Sequence, residues 1–184
     1  MPAYIALLRA VNVGGTGKLP MTELTAMCQE AGFAKVKTYI ASGNVIFESK
    51  LGEAKVKAAL ESRLAAYAGK PVGVAVRTAA EMAAVLAANP FPEAPTNCTV
   101  AIFLDQAPPA TALEAATGQR DERMRLGVRE IYVHYGESMA DSRLKIPVAK
   151  NGTARNMNTV AKLAEMAAKL STGDEVWRRI ANDR

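Results

Sequence analysis

The chain holds one histidine, His134, and two cysteines, Cys28 and Cys98, among 184 residues. Without a Cys-x-x-Cys spacing it lacks both a thiol redox motif and the ligands of a cysteine zinc site. A Ser-His-Asp triad or a histidine metal site would have to pass through His134. That residue alternates with Tyr132 on a strand pattern, as a surface or packed side chain does. No carboxylate pair stands out, and Ser42 or Thr153 as a nucleophile would lack a partner base. Aromatic residues make up 5% of the chain, which leaves little for base stacking. No run of five basic residues occurs, so a nucleic-acid-binding tail is not expected. The first apolar run ends at Arg9, too early for a signal peptide or a membrane span, and the expected location is cytoplasmic. Cys28 falls on the apolar stripe of a helix, which suits a small buried hydrophobe rather than a nucleophile.

What is present is the composition of a folded protein, 49% hydrophobic and 22% charged. The length suits one domain or two small ones. A net charge of +5 and a pI near 9.3 permit attraction to polyanions without demanding it.

The opening stretch organises the rest. Tyr4 to Val11 reads as a strand apolar on both faces, hence covered on both. Gly14, Gly15, Thr16, Gly17 and Lys18 follow, then Pro20 and a helix carrying Leu24, Met27 and Cys28 that stops at Gly32. Strands are expected over 35–40 and 45–47, joined by the turn Ser42-Gly43-Asn44. A helix over 53–68 ends at Gly69, and Val72, Val74 and Val76 alternate as a fourth strand. The order β-α-β-β-α-β is the split βαβ, or ferredoxin-like, pattern. In that topology strands one and three lie side by side and antiparallel, so Arg9 and Asn12 meet Ser42 and Asn44 at one sheet end.

Thr78 and Glu81 form a capping box that starts a connector helix. Three prolines within 89–95 read as a linker between an N-terminal domain, 1–90, and a second α+β domain, 96–184. The second half repeats the order of the first loosely: a strand over 98–104, a short helix or turn over 108–117, and a hairpin of Met124–Val128 with Ile131–Tyr135. A long helix follows, with Thr153 or Asn151 as its N-cap and Met157, Val160, Leu163, Ala164, Ala167 and Leu170 on its apolar side. Arg155 would then oppose the helix dipole in the first turn, a conflict that a bound anion would remove. Gly173 is expected to separate a last short helix, with Val176, Trp177 and Ile180 packing back.

Three blocks carry a resemblance: Leu8 to Gly15 with Lys18 to Met21, then Thr38 to Phe47, and finally Thr153 to Val160. In order and over nearly the whole chain, they resemble the bacterial domain-of-unknown-function family 1697. Ala10 and Val11 stand where that family usually has Gly-Ile, and Met157 stands where it usually has Trp between two asparagines. The resemblance implies an α+β fold with ferredoxin-like pieces and carries no activity.

The glycine-rich loop is not a Walker A motif, because Leu19 follows Lys18 where Ser or Thr is needed. Backbone N–H groups at such a strand-to-helix loop, with a neighbouring lysine, nevertheless suit an anion. Lys145, Lys150, Arg155, Asn156 and Asn158 supply donors in the second half beyond what capping needs. The expected function is therefore binding of a small anionic ligand, phosphorylated ones included, in a cleft between the halves. The candidate residues are Arg9, Asn12, Gly14, Gly15, Lys18, Ser42, Asn44, Lys145, Arg155, Asn156 and Asn158, with no metal or cofactor. The alternatives are single-stranded nucleic acid on a sheet face, where the central strands offer Tyr4 and Phe47, and a protein-interaction module whose motifs are only turns.

Overall fold

The computed structural model describes residues 1–12 and 18–182, and the side chains of these up to residue 171. It is a mixed α+β structure with two four-stranded antiparallel sheets and four α-helices among the described residues. The chain divides into two compact units, Met1–Met82 with Lys162–Arg184, and Ala83–Ala161. The boundary therefore falls inside the connector helix, and the proline-rich stretch at 89–95 belongs wholly to the second unit. There Phe91 and Ala94 are buried.

In the first unit, β1 (Ala3–Leu8), α1 (Met21–Glu30), β2 (Ala34–Tyr39), β3 (Asn44–Glu48), α2 (Glu53–Ala68) and β4 (Val74–Thr78) follow in order. The sheet runs β2-β3-β1-β4. Period-two alternation sends Tyr4, Ala6, Leu8, Val45, Phe47, Val74 and Val76 to one face. They form one core with Leu24, Met27 and Cys28 of α1 and Val56, Leu60 and Leu64 of α2. Phe33 stacks on Phe47 with ring centroids 4.3 Å apart. Ile5, Leu7, Ile46 and Arg77 on the other face are buried as well. Both central aromatics, Tyr4 and Phe47, thus lie inside the fold, and the Tyr4 hydroxyl donates to the Leu51 carbonyl at 2.8 Å. Strand β1 ends at Leu8 rather than Val11, because Ala10 and Asn12 both turn to φ +54°.

The capping box forms as the spacing predicts. The Glu81 N–H donates to the Thr78 hydroxyl at 3.1 Å, and the Thr78 N–H donates to the Glu81 carboxylate at 2.9 Å. This starts α3 (Ala79–Ala87).

The second unit holds β5 (Thr99–Phe103), β6 (Arg123–Leu126), β7 (Glu130–His134) and β8 (Thr153–Asn156), in sheet order β6-β7-β5-β8. The permutation is that of the first sheet. Short 3-10 turns, Ala112–Ala115 and Pro147–Ala149, stand at the chain positions that α1 and α2 occupy there. Val100, Ile102, Leu104, Ile131, Val133 and Ile146 make its core on one face. On the other face the buried Tyr132 hydroxyl donates to the Val85 carbonyl of α3 at 2.7 Å.

Residues 153–156 correct the sequence expectation. They are not a helix entry but an edge strand, pairing Phe103 with Thr153 and Val100 with Asn156. Helix α4 (Met157–Asn182) starts only afterwards, and its N-cap is Asn156, whose Oδ1 accepts the Thr159 N–H at 2.9 Å. Arg155 therefore precedes the helix and does not oppose its dipole. The expected apolar side is buried at Met157, Val160, Leu163, Ala164 and Ala167. The helix runs through Gly173 without a break, so no separate last helix forms. Val176, Trp177 and Ile180 lie outside the described side chains.

Candidate functional site

The end of β1 gathers the first group of expected site residues. Leu7 pairs with Asn44, and the Leu8 N–H donates to the Gly43 carbonyl at 2.8 Å. The Asn12 amide donates to the carbonyls of Leu19 at 2.8 Å and Ala41 at 2.7 Å, while its oxygen accepts the Leu19 N–H at 2.6 Å. Asn12 thus clamps the two ends of the glycine-rich loop together and ties them to the 39–44 turn. Asn44 is fully buried and donates to the Tyr39 carbonyl and the Ser42 hydroxyl, both at 2.9 Å. Gly43 has φ +90°, and a Cβ there would sit 2.6 Å from Val11 Cγ2. The turn can pack against 8–11 only with glycine at that point. The end of β1 meets the 41–44 turn through Leu8 and Asn12, whereas the Arg9 backbone turns to Gly73 on the other side, and the two asparagine amides act within the fold. Gly14 and Gly15 lie outside the described residues.

Arg9 and Lys18 face a cavity of about 400 Å³ in the first unit. Its wall is completed by Leu64, Tyr67 and Ala68 of α2 and by Lys70 to Gly73, the approach to β4. Strand β4 pairs with β1, Leu8 opposite Val74, and the Arg9 N–H donates to the Gly73 carbonyl at 2.9 Å. That pairing carries Lys70 to the same place as Arg9, about sixty residues away in the sequence. Lys70 and Tyr67 escaped the sequence reading. The signal for them was topological, since the start of β4 must lie beside the end of β1.

Among the described residues, the lining holds three cations and no carboxylate or imidazole. The described surface is positively charged and presents no carboxylate or imidazole to act as a general base. Apolar side chains of Val11, Leu19, Leu64 and Val72 give it room for an organic group beside the charge.

The second group of expected residues does not form one cluster. Lys145 and Lys150 border a second cavity, with Ile102 in its wall. Arg155 pairs with Ala101 and so lies on the opposite face of the sheet from Ile102. Its guanidinium donates to the Ala154 carbonyl at 2.9 Å, and burial lowers its pKa to about 10, which leaves it charged at neutral pH. Asn156 caps α4, and the Asn158 carbonyl oxygen accepts the Thr96 hydroxyl at 2.6 Å.

The reactive side chains have structural surroundings. Cys28 is fully buried, and burial pushes its thiol up to about 12. His134 is buried, with Nδ1 3.1 Å from the Thr99 hydroxyl and its ring 6.3 Å from that of Phe91. Among the described residues, no group of three His, Cys, Asp or Glu side chains is placed to hold a metal ion. No helix among them is long and apolar enough to cross a membrane.

A solved structure of a conserved bacterial protein from Streptococcus pneumoniae superimposes on this fold with a TM-score of 0.76. The match covers 91% of this chain and 99% of that one, at 23% sequence identity, and so it speaks for the fold alone. No curated protein matches the sequence at a significant level. The model of a protein family of unknown function, DUF1697, matches residues 1–132, which include the Met1–Met82 part of the first unit with the 39–44 turn and with Arg9, Lys18 and Lys70. The chain belongs to that family of proteins of unknown function.

Proposed function

We propose that the first unit binds a small phosphorylated anion in the cavity of Arg9, Lys18 and Lys70. The observation that carries this reading is the convergence of three cations from three chain segments on one cavity whose described lining contains no acid. Several positive side chains around one cavity raise the local potential and favour a ligand that brings negative charge. The guanidinium of Arg9 suits two oxygens of a phosphate, and the lysines act as point charges beside it. The apolar part of the wall favours a phosphate ester over the inorganic ion.

The order β-α-β-β-α-β and the sheet order β2-β3-β1-β4 support a ferredoxin-like description of the first unit. In such a frame nucleic acid would be read by stacking on central-strand aromatics. Tyr4 and Phe47, the two available, are 5% and 0% exposed. Burial of both speaks for a small ligand rather than a single strand.

The test is thermal unfolding with pyrophosphate, ribose 5-phosphate and adenosine monophosphate, each against chloride at equal ionic strength. A ligand at one hundred times its Kd stabilises by about 2.7 kcal/mol, which raises Tm by about 5–10 °C for a chain of this size. A phosphorylated compound is expected to give such a shift with the parent protein and one smaller by about 2–4 °C with Arg9→Ala, as a fivefold loss of affinity requires. Equal shifts in both proteins would refute the site.

A further inference from the structure

The second unit contains a cavity of about 540 Å³ of different character, which the proposed anion site does not use. Its floor is aliphatic, built from Ile102 of β5 with Leu144 and Ile146 of the segment that follows the β6–β7 hairpin. Two exposed lysines, Lys145 and Lys150, belong to its lining, which includes no carboxylate among the described residues.

That segment is fixed in place. Thr117 and Lys145 exchange a pair of backbone hydrogen bonds, 2.9 and 2.8 Å long. Next to them Gly118 has φ +72°, and a Cβ on it would lie 2.1 Å from the Arg143 carbonyl oxygen. The wall bearing Leu144 and Lys145 therefore rests directly on the 117–118 backbone. Half-buried Tyr135 contributes its ring to the wall. Burial of the ring, and then the nearby Glu122 charge, push its pKa up, so the phenol keeps its proton and remains a donor.

We propose that this cavity binds a small amphipathic carboxylate, with its aliphatic chain on Ile102, Leu144 and Ile146 and its head group between Lys145 and Lys150. An aliphatic floor gains from covering apolar surface and offers nothing to a bare, strongly hydrated inorganic ion. Two lysines in one lining can serve the two oxygens of a carboxylate, and they repel an amine. No arginine lies among the lining residues, so the fork that favours a phosphate dianion is lacking there.

The experiment follows methyl NMR signals of the full chain titrated with octanoate, octanol and octylamine to about 5 mM, the range of weak single-site binding. Octanoate is expected to shift the methyl signals of Ile102, Leu144 and Ile146, and octanol to bind about tenfold more weakly. The exposed double variant Lys145→Gln/Lys150→Gln is expected to lose about tenfold in octanoate affinity while binding octanol as before. Octanoate is expected to leave the methyl signals of Leu64 and Val72 at the first-unit cavity unshifted, which separates the two sites. Octanoate shifts that are absent or spread over the whole chain would overturn the proposal. So would octylamine binding as tightly as octanoate, or a double variant that binds octanoate unaltered.

Discussion

Replacing Asn12 by alanine removes one side chain that holds together the entrance and exit of the glycine-rich loop. The amide makes three hydrogen bonds, two to Leu19 and one to Ala41, all between 2.6 and 2.8 Å. At about 1 kcal/mol net each, their loss costs about 3 kcal/mol. A further cost of about 1 kcal/mol arises because residue 12 sits at φ +54°, where asparagine is tolerated and alanine is strained. The expected destabilisation is about 4 kcal/mol, read as a lower urea midpoint at unchanged slope. Asn12→Gly loses the same hydrogen bonds without the backbone strain and is expected to be about 1 kcal/mol milder. Because Lys18 adjoins the clamped Leu19, both variants are also expected to weaken anion binding. A stability of Asn12→Ala within about 1 kcal/mol of the parent would refute the clamp. An alanine variant no worse than the glycine variant would refute the backbone part.

Three further outcomes follow from the geometry. Ala10 also sits at φ +54°, so Ala10→Gly is expected to stabilise the chain by about 0.5–1 kcal/mol in urea unfolding, the strain relief exceeding the entropy that glycine adds to the unfolded state. The Ser142 hydroxyl, with the Arg120 backbone N–H, holds the Glu122 carboxyl below its ordinary value of 4.5. That contribution is complete at neutral pH and is lost as pH falls below about 4.5, so Ser142→Ala is expected to unfold in acid at a higher pH than the parent. Cys28 ionises near 9 when unfolded but only near 12 in the fold. Stability is therefore expected to fall between these values, and a thiol reagent at neutral pH is expected to label Cys28 only on unfolding.

Features that rest on local chemistry were legible in the sequence. The capping box at Thr78 and Glu81, the span of α2, and the turn at Ser42 to Asn44 each depend on residues within a few positions of one another. The meeting of the β1 end with that turn was legible too, because the order of elements admits few sheets. Strand β8 was not. Its partner β5 is about fifty residues away, and Thr153 before an apolar-periodic run has the local signature of a cap. Lys70 was missed for a related reason, since it follows Gly69 with no motif and gains its place only through the pairing of β4 with β1. The asparagines show a different limit. A side-chain amide that can bind a ligand can equally satisfy backbone groups, and spacing alone does not distinguish the two roles. Asn12, Asn44 and Asn156 all hydrogen-bond to their own backbone surroundings.

The central claim is that Arg9, Lys18 and Lys70 act together on one bound anion. Titration calorimetry of adenosine monophosphate or ribose 5-phosphate, whichever shifts Tm more, measures it directly on the parent and on Arg9→Gln, Lys18→Gln and Lys70→Gln. Each single variant is expected to lose about fivefold in affinity and the triple variant about a hundredfold, with binding to the parent weakening as salt is raised. A triple variant that binds either compound as tightly as the parent would contradict the account.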